Sequence, residues 1–309
     1  MKVNTTDLLC YLVLLCCFVL LCYILYMFVF GRKKAIRPRK VAIVSMVRHP
    51  KSFDQWLTYH KSIGINKFYI RLEDTPELVD VLRKDPSITL ETGQSTEIAK
   101  TQDKTYDSVY ERQRDLIKKA IEMSKKDDID WLIHIDCDEL IECQKKIPNE
   151  IVTIQDAIFD EIKNDANVFN IIMENYEAQY DKINTTSDSC FEYKTLVKCA
   201  DGGCVSYANG KSIGKLSKWL QEHGPHRFAH FGYGTEITAK NIRLLHFESC
   251  DFDQYMQKYL HLASKETKVY PFEFYNESIK TVKDNCKQHD EQCVDALKAT
   301  YTKYKIRQN

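Results

Sequence analysis

Trp131-Leu132-Ile133-His134-Ile135-Asp136-Cys137-Asp138-Glu139-Leu140-Ile141 is the stretch that decides how the chain is read. Its apolar half, rich in Ile and Leu, has the pattern of a buried strand, and it ends in three acids. Carboxylates are costly inside a sheet, so these belong at the strand's carboxyl end, where open α/β sheets hold their ligands. Two Asp residues separated by one residue can both face a divalent ion whose other contacts are phosphate oxygens. Mg2+ and Mn2+ favour such hard oxygen donors. On this stretch alone, an acidic turn that only caps the following segment is the alternative.

Upstream, strand and helix alternate. Val41 to Val47 reads as a buried β-branched strand, broken by Arg48-His49-Pro50. Ser52 is placed to cap a helix carrying Phe53, Trp56, Leu57, Tyr59, His60 and Ile63 at helical spacing, and Gly64 ends it. Lys67 to Leu72 is a second strand running into Glu73-Asp74. Thr75-Pro76-Glu77 has the composition of a helix start, ahead of Leu78, Val81 and Leu82. Ile88 to Thr92 is a third strand, and a long helix follows from about Thr105 to Lys125. This alternation predicts an α/β domain with a mostly parallel sheet and helices on both faces.

Downstream, Ile154 to Ile162 reads as a helix and Asn167 to Met173 as a strand. Phe191 to Val197, Val205 to Tyr207 and Ser212 to Leu216 read as shorter strands, with turns at Gly202-Gly203 and Asn209-Gly210. Ile242 to Phe247 is another strand, and helices from Asp251 to Ser264 and about Asp290 to Tyr304 close the chain. No linker separates the halves, so 41–309 is read as one domain.

Ahead of that domain lie a short tail (1–7), an uncharged apolar run (8–30) and a basic linker (31–40). About twenty apolar residues cross a bilayer core, so 8–30 reads as a transmembrane helix. It ends in Tyr26-Met27-Phe28-Val29-Phe30 rather than at a small-residue cleavage site, which marks a retained anchor. Orientation is open. The cluster from Arg32 to Lys40 favours a cytosolic domain by the positive-inside rule. Sequons at Asn184-Thr185-Thr186 and Asn276-Glu277-Ser278, and eight cysteines beyond the anchor, favour a lumenal, endoplasmic reticulum or Golgi-type one. Cys199 with Cys204, and Cys286 with Cys293, would then be disulfides. Zinc is disfavoured, because no close CxxC pair exists. With Lys+Arg and Asp+Glu at 44 each, nothing in the charge calls for a nucleic-acid partner.

For the acids to form a metal site a third group is needed. His246, ending an apolar strand, is the best candidate, with a satisfied core histidine as its other reading. Glu73-Asp74 and Asp136 to Glu139 both end strands, and polar groups at neighbouring carboxyl ends converge on one crevice.

Four segments carry a family resemblance. Val44-Ser45-Met46-Val47 with Phe53 to Ile70 resembles the opening of the family 2-like and family 92-like glycosyltransferases, including a W-L-x-Y-H-x-x-x-G pattern. Trp131 to Leu140 resembles their D-x-D-E segment, Asn209-Gly210-Lys211-Ser212-Ile213 a later G-K-S/W turn, and Leu245-His246-Phe247 with Ser249 their late His segment. The resemblance covers about 41–265. It implies a GT-A (Rossmann-like) fold and transfer of a sugar, with inversion, from a nucleotide-sugar donor to a glycan or protein acceptor. Asp136, Asp138 and His246 would hold Mn2+ or Mg2+ on the diphosphate, which neutralises the leaving group without a proton. Glu73 or Asp74 would sit near the base or ribose, Lys211 beside the donor, and Gln113, next to Arg112, where similar families place a Gln. A solvated helix face explains Arg112 equally well. Two positions depart from the family pattern. Arg48-His49 stands where Asn-Glu is usual, and Leu72-Glu73-Asp74 where Asp-Asn is usual, which leaves the base identity open. Glu236, His226 and Glu174 are candidate catalytic bases, each equally readable as a solvated polar residue. A non-catalytic, membrane-anchored glycan-binding or assembly protein on the same fold is the alternative. A metal-dependent phosphohydrolase would want more His and Asp ligands.

Overall fold

Alternation along Val41–Arg48 (β1) shows how the chain builds a sheet with two covered faces. Successive side chains of a strand point to opposite sides. Val41, Ile43 and Val47 join one core with Trp56, Ile154 and Ile158, whereas Ala42 and Val44 join another with Leu116, Ile117 and Ala120. Helices α2 (Phe53–Ser62) and α5 (Ile154–Ile162) therefore cover one face and α4 (Ser108–Lys126) the other. The computed structural model describes residues 14–22, 36–96, 108–144, 152–184, 189–201, 204–232, 234–264, 270–286 and 290–306.

The main sheet has nine strands. Around β1 lie β2 (Lys67–Glu73), β3 (Ile88–Gly93) and β4 (Trp131–His134), all parallel, in the order β3-β2-β1-β4. The order continues β8-β6-β11-β5, formed by Lys211–Lys215 (β8), Val168–Gln179 (β6), Thr235–His246 (β11) and Glu139–Cys143 (β5). β8 runs against β4 and β6, and β5 against β11, while β6 and β11 point the same way as β1. A short strand, Thr195–Lys198 (β7), pairs with β6, and Leu220–Glu222 (β9) forms a separate hairpin with Phe228–His230 (β10). The molecule is thus mixed α/β with a mostly parallel, Rossmann-like sheet.

The acidic stretch is two strands, not one. β4 and β5 lie four strand spacings apart in the sheet order. In a flat sheet that is about 19 Å, more than the roughly 17–18 Å that the five steps from His134 to Glu139 can span fully extended. The chain there is not taut, because the Glu139 N–H turns back to the Asp136 carbonyl at 3.2 Å. The sheet must therefore curl, and residues 135–138 bridge its carboxyl edge.

Other expectations need correcting. Ser52 has a left-handed backbone (φ 56) and does not cap α2; its hydroxyl accepts the Cys190 N–H at 3.2 Å. Thr75 does not cap either, donating its hydroxyl to the Glu73 carbonyl ahead of a 3-10 turn (Pro76–Leu78) and a short helix, α3 (Val79–Arg83). Val205 to Tyr207 is not a strand, and of Phe191 to Val197 only the end joins β7. Three helices, α6 (Phe252–Ser264), α7 (Glu273–Asn285) and α8 (Glu291–Lys305), form a third core around Tyr255, Phe274 and Tyr301. Disulfides join Cys199 to Cys204, Cys286 to Cys293 and Cys190 to Cys250. The last of these was not anticipated. Both sequon asparagines are used internally: Asn184 donates to the Cys250 carbonyl at 3.0 Å and Asn276 to the Tyr270 carbonyl at 2.7 Å. Of the 8–30 span, residues 14–22 are helical and exposed, and the remainder lies outside the described residues. No described helix is long and apolar enough to cross a membrane.

His60 ties α2 to β5. Its Nδ1–H donates to the Trp56 carbonyl at 2.8 Å and its Nε2 accepts the Ile141 N–H at 3.3 Å, so the ring is neutral. Complete burial pushes its pKa down to about 3, against 6.5 for the free ring. Between those values the unfolded ring takes a proton that the folded one refuses. The His60 contribution to stability should be flat above pH 6.5 and fall as pH drops below it, by about 2 kcal/mol at pH 5. Urea unfolding at pH 7 and pH 5, on the natural protein and on His60→Gln, checks this: the variant should lose less on acidification.

Candidate active site

Three strand ends and one helix bring the acids together with basic partners. A cavity of about 720 Å3 opens at the carboxyl ends of the parallel strands, lined among others by Asp74, Asp136, Asp138, His246 and Glu248. Three of its lining residues, His49 (φ 44), Asp74 (φ 49) and Ser249 (φ 53), have left-handed backbones. Such strain in non-glycine residues gathers at functional sites.

Asp136 is already partnered. Its Oδ2 lies 2.6 Å from the Lys211 ammonium and its Oδ1 accepts the Gln113 amide at 3.1 Å. β8 runs against its neighbours, so its first residue, Lys211, arrives at their carboxyl ends. The preceding Gly210 is required there, because a Cβ would lie 1.7 Å from the Met173 carbonyl oxygen. Lys211 is 1 % exposed. Burial works against both charges, yet their attraction holds Asp136 well below the usual carboxylate range and raises Lys211. Glu139, fully buried, is pushed up to about 7 by burial, with Lys211 opposing; it accepts the Tyr207 hydroxyl at 2.5 Å.

Asp138 and His246 meet because β5 and β11 pair, placing His246 opposite Glu139. The His246 Nε2 lies 3.7 Å from Asp138 and 3.9 Å from Glu248. Ligand atoms of these three residues lie within 4.8 Å of one another. The other ring nitrogen fixes the tautomer. Ser206 donates its hydroxyl proton to Glu177 at 2.7 Å, so its oxygen, 3.1 Å from Nδ1, accepts the Nδ1–H. Glu177 in turn is held by Lys305 at 2.9 Å. A histidine anchored through one nitrogen by a hydrogen-bonded relay, with the other facing two carboxylates, is the arrangement divalent metal sites use. Burial alone would lower the His246 pKa, but Asp138, Glu139 and Glu248 raise it to about 9. A metal would have to displace that proton. Glu248 is bound through both oxygens by Lys258, at 2.7 and 2.9 Å. Among the described residues one other cluster has ligand spacing, Glu177 with Cys199 and Cys204, but those sulfurs are joined in a disulfide.

No protein-family model matches the chain. Two glycosyltransferase-like proteins of Arabidopsis thaliana are 23 % identical over 277 residues and 22 % identical over 251. The matches cover 76 % and 69 % of this chain but 59 % and 48 % of those proteins, so the chain spans about half the length of these curated relatives. Among solved structures, a CMP:2-keto-3-deoxy-manno-octonic acid synthetase complexed with CTP matches 87 % of this chain and 88 % of its own, at 9 % identity and a TM-score of 0.27. Mannose-1-phosphate geranyltransferase from Thermus thermophilus matches 84 % and 68 %, at 7 % identity and a TM-score of 0.30. Structural likeness at that level carries no argument.

Not every residue singled out from the sequence reaches the cavity. Asp74 and Gln113 line it. Glu73 does not: it is 1 % exposed, its carboxylate held by Arg71 at 2.8 Å and Arg112 at 2.7 and 3.0 Å. Arg112 is accordingly buried rather than on a solvated face. Glu236 starts β11, ten residues from His246, which is about 30 Å along an extended strand; it accepts the Asn170 amide at 2.6 Å. Glu174 pairs with Lys198 at 2.8 Å outside the cavity lining. His226 packs against Tyr207 (ring centroids 4.9 Å apart), close to the site but outside its wall, and burial lowers its pKa to about 3. Glu248, Tyr207 and Lys258 were not anticipated. For Glu248 the signal was present, since it follows His246 at the two-residue spacing that returns an extended chain to the same face.

Lys211→Met should leave Asp136 with Gln113 alone and cost about 3–5 kcal/mol. Lys211→Met/Asp136→Asn should recover part of that loss in denaturant unfolding, because the Asp136 charge is then gone and only Glu139, 3.6 Å from the Lys211 ammonium, has lost its cation.

Proposed function

We propose that the chain is a glycosyltransferase that moves a sugar from a nucleotide-sugar donor to a glycan or protein acceptor, with inversion and with Mn2+ or Mg2+. The observation that carries this reading is the cavity itself: a hollow of about 720 Å3 at the carboxyl ends of parallel strands, with Asp138, His246 and Glu248 grouped on its wall. That volume lies in the range of small-molecule and cofactor sites, and the carboxyl edge is where open α/β sheets bind nucleotides. The similarity to two glycosyltransferase-like proteins supports the same class.

The donor set suits a hard divalent ion, with Asp138, His246 and Glu248 as its ligands. Bound there, the ion would neutralise charge gathering on the departing diphosphate. Asp136 takes a different part from the one its spacing suggests. Tied to Lys211 and Gln113, it fixes the wall from which the segment 135–138 projects. Ser206 and Glu177 hold the His246 ring so that Nε2 faces the cavity. In the transfer, the anomeric carbon's bond to diphosphate oxygen breaks as its bond to the acceptor oxygen forms on the opposite face. The acceptor's proton leaves to a base other than Glu236 or Glu174, which do not reach the cavity.

The three disulfides favour an oxidising compartment. With the apolar run at 8–30, they support the reading of a single-pass anchored protein whose domain faces the lumen of the endoplasmic reticulum or Golgi.

The full chain in detergent should release nucleotide from one donor of a nucleotide-sugar panel only with Mn2+ or Mg2+. Asp138→Asn, which strands no ammonium group, should weaken Mn2+ binding by at least the roughly 10–100-fold that loss of an outer-shell partner costs, read by electron paramagnetic resonance, while leaving the fold intact by circular dichroism. A folded protein that binds no donor with any metal would move the reading to a non-catalytic glycan-binding protein.

A further inference from the structure

The end of the sheet opposite the cavity carries the most exposed aromatic pair among the described residues of the domain. Lys40, Asp130 and Leu216 are bonded side by side there: the Asp130 N–H donates to the Lys40 carbonyl at 3.0 Å, and the Leu216 N–H to the Asp130 carbonyl at 2.8 Å. The point where the chain enters β1 is thus beside the end of β8. Three residues beyond Leu216, Trp219 is 47 % exposed, and Phe231, whose N–H donates to the Trp219 carbonyl at 3.1 Å, is 61 % exposed. The pair is held rigidly. Ser217 bonds His230 at 2.9 Å, His230 stacks on Phe169 with ring centroids 4.8 Å apart, and the Lys218 ammonium lies 4.6 Å over the Trp219 ring. Trp56 and Trp131, the other two tryptophans, are buried. Ile36, on the same approach, is 88 % exposed.

The tether to the apolar run is short. Arg37 is already fixed to Asp156 at 2.8 Å, and Arg39 to Asp128 at 3.3 Å. Only residues 31–36 remain between the apolar run and the domain, and such a segment spans at most about 20 Å. A tether of that length brings this end of the domain, and not the cavity end, to the membrane surface. Trp and Phe side chains with a lysine able to extend toward headgroups suit the bilayer's interfacial layer. The acids on this edge are occupied: Asp128 pairs with Arg39, and Asp130 accepts the backbone N–H groups of Arg39 and Lys40 at 2.7 and 2.9 Å.

We infer that the Trp219–Phe231 edge rests in the interfacial layer of the bilayer that anchors the chain, holding the domain upright with its cavity pointing away. This rests on the anchored reading given above. The test uses the full chain in phosphatidylcholine nanodiscs, with and without brominated acyl chains. Bromolipid should quench most of the Trp219 emission and none of that remaining in Trp219→Phe, and Phe231→Asp should lessen the quenching. Extraction of the same chain from cell membranes with alkaline carbonate reads the anchor separately. A carbonate-resistant chain whose Trp219 emission ignores bromolipid overturns the inference and leaves the anchor standing. A chain released by carbonate removes both. Emission that ignores lipid but shifts with added oligosaccharide would instead make the pair a carbohydrate platform, and would also overturn it.

Discussion

Four residues, 135–138, separate the central strand β4 from the edge strand β5, and the architecture of the site depends on how short that connection is. A longer loop would let the sheet lie open. This one obliges it to curl until β5 reaches β11, and the pairing sets Asp138 beside His246. The same connection draws the Trp56 indole to the Glu139 carbonyl at 2.8 Å and the Tyr59 hydroxyl to the Ile141 carbonyl at 2.9 Å. α2 is thereby pinned beneath the segment that carries the acids. Fold and site are fixed by one covalent limit.

Around that segment, three of the acids each have a lysine as counterweight. Lys211 faces Asp136, Lys258 faces Glu248, and Lys305 faces Glu177. The three ammonium groups come from a strand start and two late helices, elements far apart in sequence. Burying so many carboxylates in one wall is tolerable only because each is paired and hydrogen-bonded; unpaired, any of them would shift its pKa or disrupt the fold. Asp138 stands apart from this scheme. It has no ammonium within ion-pair distance among the described residues and lies 3.7 Å from the His246 Nε2 on the same wall.

How much of this was legible in the sequence differs between the halves. β1 and β2 follow from continuous apolar runs buried on both faces of the sheet, and α5 from an apolar stripe at helical spacing that packs on one of them. Convergence of Asp136, Asp138 and His246 on one edge was likewise readable, since acids and a histidine ending apolar strands have few other places to lie. Glu73 was misplaced because sequence shows a strand's end but not that Arg71 and Arg112 meet there. Lys211 could be assigned to the donor's neighbourhood, but its bond to Asp136 depends on β8 running backward between two parallel strands, a long-range fact with no local signature. The caps expected at Ser52 and Thr75 failed for a related reason: distant backbone N–H groups, those of Cys190 and His49, took both hydroxyls.

Among the described residues β5 has one strand neighbour in the sheet, β11, which ends about a hundred residues later. At synthesis rates of about 5–20 residues per second, the edge strand and the acids beside it would wait roughly 5–20 seconds for their partner. During that interval the growing chain exposes an apolar, unpaired strand, the kind of surface that chaperones recognise and that neighbouring chains can capture. The geometry that assembles the site last therefore leaves its edge strand without its partner for that stretch of translation.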